Sequence, residues 1–125
     1  MIYEKAFAKI NLALEVGKEI DGYHQVQNLM VPIDLYDELF FQKAERDSIE
    51  CDASIDDNIC LRAVKLFKEH FSITSGVFIT LNKKIPIMAG LAGGSSDAAA
   101  TLRGLNRLFE TNASQEELYA MACKL

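Results

Sequence analysis

Between Val77 and Leu102 the chain runs from a strand through a glycine-rich turn into a helix, so the fold must deliver a strand end to a helix start through exposed backbone. Val77, Ile79 and Leu81 alternate with Phe78, Thr80 and Asn82, the period of a strand with one buried face. Pro86-Ile87-Met88-Ala89-Gly90-Leu91-Ala92-Gly93-Gly94-Ser95-Ser96 follows. Gly90, Gly93 and Gly94 lack a Cβ, so peptide N–H groups there can approach an anion closely. Ser95-Ser96-Asp97 followed by alanines predicts a helix start at Ser95, with Asp97 as an acidic residue of its first turn. A helix opening at such a turn aims free N–H groups and the positive end of its dipole at its guest, and phosphate is the expected one. The stretch lacks the lysine of a P-loop and the spacing of the dinucleotide fingerprint. From spacing alone, a glycine-rich connection to a well-capped helix remains an equal reading.

The rest of the chain reads as strands followed by helices. Ile10, Leu12, Leu14 and Val16 alternate with Lys9, Asn11, Ala13 and Glu15, which predicts a strand over 8–16 with Lys9 and Asn11 on one side. Asp21-Gly22 is a turn pair, and Tyr23 to Ile33 reads as the returning strand. Further strands are expected over 38–43 and 48–52. Ile59, Ala63, Val64, Leu66, Phe67 and Phe71 recur at helical spacing behind an Asp57 or Asn58 cap. The helix from Ser95 should run to about Phe109, and Ser114-Gln115-Glu116-Glu117 is a capping box for one more through about Lys124. This order implies the α+β class.

Composition narrows the function classes. A length of 125 residues, half of them hydrophobic, suits one domain with a modest core. A net charge of −5 with no basic stripe argues against a nucleic-acid partner, and no apolar run is long enough to span a membrane. Cys51, Cys60 and Cys123 are odd in number and widely spaced, which predicts reduced thiols in a cytoplasmic protein rather than disulfides or zinc. The N-terminus reads as free of a signal peptide.

Two motifs then carry a family resemblance. The Pro86 to Ala99 stretch resembles the ATP-binding motif of the GHMP kinase superfamily of small-molecule kinases. Ala8-Lys9-Ile10-Asn11-Leu12 followed by Asp21-Gly22-Tyr23-His24 is similar to the N-terminal signature of one branch, the 4-diphosphocytidyl-2-C-methylerythritol kinases, as is the Asp57-Asn58-Ile59 helix start. The resemblance covers essentially residues 2 to 124. It implies a ribosomal protein S5 domain 2-like fold, a mainly antiparallel sheet with helices on one face. It also implies ATP with Mg2+, and phosphorylation of the 2-hydroxyl of a cytidine diphosphate alcohol.

Residue by residue, the resemblance gives Lys9 the active-site ammonium, where the residues alone would read a solvated strand lysine. It makes Asn11 a substrate contact and Tyr23 and His24 a cytidine-binding pair, one ring for stacking and one for a hydrogen bond. Asn58, Lys83 and the run from Pro86 to Ser96 fall on the ATP side, and Ser95 or Ser96 could reach the metal. A Gly-[Ser/Ala]-Asp-[Ile/Val]-Pro segment, whose Asp is the family's proposed base, does not occur up to Leu125. The expectation is therefore an N-terminal domain, residues 1–125, without its C-terminal companion. A small-molecule substrate is the expected partner, with room for a homo-oligomer. The alternatives are another GHMP kinase, for homoserine or mevalonate, and a non-catalytic nucleotide-binding S5-like module.

Overall fold

The computed structural model describes residues 1–15, 26–53, 58–86 and 93–125, with backbone only for 11–15, 26–30 and 93. Strands β1 (Ile2–Glu15), β2 (Val26–Ala44) and β3 (Ser48–Cys51) precede helix α1 (Ile59–Phe71). Strand β4 (Gly76–Asn82) then leads to helices α2 (Gly93–Leu108) and α3 (Gln115–Ala122). The sheet order is β1-β2-β4-β3. β2 pairs antiparallel with β1 and β4, whereas β3 runs parallel to β4 because α1 carries the chain across between them.

Leu39, Phe41, Val77, Ile79 and Leu81 alternate along the two central strands and are buried with Ala63, Val64 and Phe67 of α1 and Leu102 and Leu105 of α2 in one core. All three helices contribute to that core, so they lie on one face of the sheet as the fold class requires. Each fully buried Leu or Phe of this kind contributes about 1.5–3 kcal/mol. Two caps read from the sequence are in place. Asn58 Oδ1 accepts from the Cys60 N–H at 2.9 Å, and Ser114 Oγ accepts from the Glu117 N–H at 3.2 Å.

Three expectations need correction. β2 is one continuous strand where the sequence suggests two. The pairing register slips between Phe7 and Lys9, so Pro32, the partner of Lys9, stands directly beside a bulge where a missing donor is tolerated. β1 begins at Ile2, and among its described side chains Ala6 and Ala8 are fully buried, while Ile10 is 36% exposed. Finally, α2 begins at Gly93 rather than Ser95, which puts Asp97 in the second turn and in the interior instead of at the solvated helix start.

Candidate active site

The early start of α2 decides what the glycine-rich stretch presents. Gly93 and Gly94 occupy the first turn, where backbone N–H groups have no partner within the helix. A Cβ at Gly94 would meet nothing within 4 Å, so this side of the turn is open. Ser95 is exposed beside it, and the half-buried Ser96 donates from Oγ to the Phe7 carbonyl of β1 at 2.7 Å.

That hydrogen bond is the first of three along the sheet edge. β1 is an edge strand, and Ser96, Arg103 and Arg107 of α2 reach the carbonyls of Phe7, Lys5 and Tyr3 at 2.7, 3.1 and 3.0 Å. Acceptors that would otherwise lie open to another chain are thereby satisfied. The helix also lies antiparallel to β1, which sets its N-terminal end beside the bulge.

Between the bulge and the helix start is a groove of about 380 Å³, lined by Phe7, Lys9, Pro32, Ser95, Ser96, Ala99 and Arg103. Its described walls carry two cations and two hydroxyls and no carboxylate. Lys9 from β1 and the serines of α2, distant in sequence, meet here. The groove thus joins a hydroxyl-rich helix start to a side-chain ammonium, the pairing that an anionic ligand requires.

Behind the groove wall lies a second charged group. Lys83, just past β4, donates to Asp37 Oδ2 at 2.7 Å and to Asp97 Oδ2 at 2.9 Å. The lysine side chain is 7% exposed and the carboxylates are 0 and 3% exposed. Asp37 Oδ1 further accepts from the N–H groups of Lys84 and Ile85 at 2.7 and 2.8 Å. Burial pushes the Asp37 pKa up, but the hydrogen bonds from Asp97, Ile85, Lys83 and Lys84 outweigh it and hold the group below the usual carboxylate range. Burial also opposes the charge on Lys83, and there too the bonds to Asp37 and Asp97 win, raising the pKa. For Asp97 burial prevails: with Asp37 beside it, the carboxyl is pushed up to about 7.

The other site residues named above fall as follows. Asn58 is taken up as the α1 cap, and Lys83 spends its ammonium on two carboxylates. Pro86 is exposed at the entry to the glycine stretch. Asn11 pairs with Met30 through the β1–β2 ladder, its side chain outside the described residues. Tyr23 and His24, and Ile87, Met88, Ala89, Gly90, Leu91 and Ala92, also lie outside them. Cys60 is buried, with its thiol pushed up to about 12 by that burial. Among the described residues, no cluster of three His, Cys, Asp or Glu side chains could hold a metal, and no helix is long and apolar enough to cross a membrane.

Residue patterns miss Asp37 and Arg103, and give Asp97 a first-turn role in place of its buried one. The available signal for Asp37 is its place within the strand run Leu35 to Phe41, where a carboxylate has to find donors.

Comparison with known proteins matches residues 58–125 to the family of GHMP kinases, N terminal domain. The chain belongs to this GHMP kinase family. The GHMP match covers α1, β4, α2 and α3, and so includes the serine wall of the groove. A 4-diphosphocytidyl-2-C-methyl-D-erythritol kinase of Lachnoclostridium phytofermentans is 48% identical over 97% of this chain, which spans 44% of that protein. A solved 4-(cytidine 5'-diphospho)-2C-methyl-D-erythritol kinase superposes with a TM-score of 0.76 at 34% identity, covering 98% of this chain and 45% of the other. A solved mevalonate kinase has the same TM-score at 19% identity over 98% of this chain and 45% of its own, a likeness of GHMP fold alone. The chain therefore spans less than half the length of these relatives.

Proposed function

We propose that this chain is the ATP-binding N-terminal domain of a kinase that transfers the γ-phosphoryl group of ATP to the 2-hydroxyl of 4-diphosphocytidyl-2-C-methyl-D-erythritol, in the non-mevalonate route to isoprenoids. The observation that carries the reaction type is the groove, where Lys9 of β1 and Ser95 and Ser96 of α2 line one cavity. The substrate class rests on the kinase that is 48% identical over nearly the whole chain.

In this reading the acceptor oxygen attacks the γ-phosphorus, the bond to the β-phosphate oxygen breaks, and ADP leaves. The hydroxyl proton passes to a base, expected on the Gly-[Ser/Ala]-Asp-[Ile/Val]-Pro segment of longer family members. Peptide N–H groups at the start of α2 hold the phosphates. Lys9 stabilises the developing alkoxide and the charge on the phosphoryl oxygens. Tyr23 and His24 hold the cytosine, and Asn11 contacts the alcohol.

The donor set suits Mg2+, which favours hard oxygens and keeps most of its shell for phosphates and water. Ser96 Oγ gives its proton to Phe7 and retains lone pairs, and Ser95 stands exposed beside it. When bound, the metal neutralises phosphate charge. Asp97 is bonded to Lys83 instead.

An ADP-release assay with 4-diphosphocytidyl-2-C-methyl-D-erythritol, homoserine and mevalonate tests the reading. It is run on these 125 residues and on a chain lengthened to the span of its relatives. Turnover is expected from the lengthened chain with the cytidyl alcohol alone, inhibited by CMP derivatives, and little from the short one. Turnover with another alcohol, or with none, would overturn the substrate assignment, and equal turnover by the short chain would overturn the need for a base from the added segment.

A further inference from the structure

The Asp37–Lys83–Asp97 cluster ties together the two chain segments that flank the glycine stretch. Lys83 and the N–H groups of Lys84 and Ile85 precede it, Asp97 follows it, and Asp37 binds all three donors from the neighbouring strand. Such a buried group is a poor source of net stability, because desolvation consumes most of the Coulombic gain. Its strength is geometric: three bonds to Asp37 fix the exit of β4 on β2, and the Lys83–Asp97 bond ties that exit to the second turn of α2. Ser95 and Ser96 lie one and two residues before Asp97 on that helix and line the groove.

One oxygen marks the cluster as more than a plain ion pair. Asp97 Oδ1 is buried without a hydrogen-bond partner. As a carboxylate it is a stranded acceptor, whereas burial beside Asp37 favours the neutral acid, which carries a proton to donate. Among the described residues, Cys60 of α1 also feels the charges of Asp97 and Lys83, and burial keeps its thiol neutral.

We propose that Asp37, Lys83 and Asp97 form a positioning triad that locks the exit of β4 to α2 and so sets the distance of Ser95 and Ser96 from Lys9 across the groove. The proposal rests on the reading that the groove receives nucleotide phosphates.

Position 97 gives the test, because Lys83→Met would strand two buried carboxylates and unfold the chain. Asp97→Ala leaves the Lys83–Asp37 pair balanced in charge, and Asp97→Asn mimics the neutral acid, accepting from Lys83 and donating to Asp37. Two measurements are made on the full chain, with thermal melts to confirm folding. One is the affinity for Mg·ADP by calorimetry, and the other is the backbone amide resonances of Ser95 and Ser96 without nucleotide. Asp97→Ala is expected to weaken Mg·ADP about tenfold or more and to shift both amides while those of α1 stay put. Asp97→Asn is expected to restore both to near wild type. Amides unmoved in Asp97→Ala, or equally disturbed in Asp97→Asn, would overturn the triad. Wild-type protein that fails to bind Mg·ADP while its amides still follow position 97 would instead overturn the nucleotide reading and leave the positioning role standing.

Discussion

Asp97 is held at 2% exposure, where an unpaired carboxylate would cost several kcal/mol, and the chain manages this by pairing it with Lys83 and by keeping its proton to higher pH. The consequence for stability has a definite sign. Because the folded-state pKa is raised from 3.8 to about 7, the folded chain retains a proton between those values that the unfolded chain has released. Its favourable contribution is complete below about pH 4 and is lost as pH rises through about 7. Asp37, shifted the other way, loses its contribution as pH falls below the usual carboxylate range. Urea midpoints should therefore fall between pH 5 and 8 in the wild type and stay nearly level in Asp97→Asn. An equal fall in the variant would contradict the assignment.

At the scale of elements, α2 is fitted to the sheet by a residue that weakens it as a helix. Gly104 costs about 1 kcal/mol against alanine in a helix interior, yet a Cβ there would overlap the Phe41 ring, with Cδ2 and Cζ at 2.6 Å. Phe41 is fully buried and has no room to retreat. Gly104→Ala should accordingly lose about 1–2 kcal/mol by denaturant titration despite the better propensity, since overpacking costs about 1–3 kcal/mol. A stabilised variant would mean that the ring can turn aside.

Local pattern explains which elements can be read in advance. The helix at Ile59 and the strand at Val77 are legible because each shows one period and a clear start. β2 is not legible as one strand, because Pro32 stands beside a bulge and Asp37 is drawn inward by donors from a segment far along the chain. The same distance hides Arg103, whose place in the groove follows from α2 lying along β1.

For the whole molecule, the α+β class follows from the order of patterns, helices on one face follow from the family resemblance, and family membership follows from the match over 58–125. That Lys9 and the serines share a groove is written in no local period. It depends on α2 capping the β1 edge through Ser96, Arg103 and Arg107, which brings the helix start to the bulge. The central claim is that this groove holds the reacting groups with Lys9 among them, and steady-state kinetics of Lys9→Ala in the lengthened chain test it most directly. Turnover should drop by roughly 100-fold or more, as for loss of a group that stabilises charge in the transition state, with the KM for ATP changed only a few-fold. Turnover equal to wild type would remove Lys9 from the chemistry and the groove from its role.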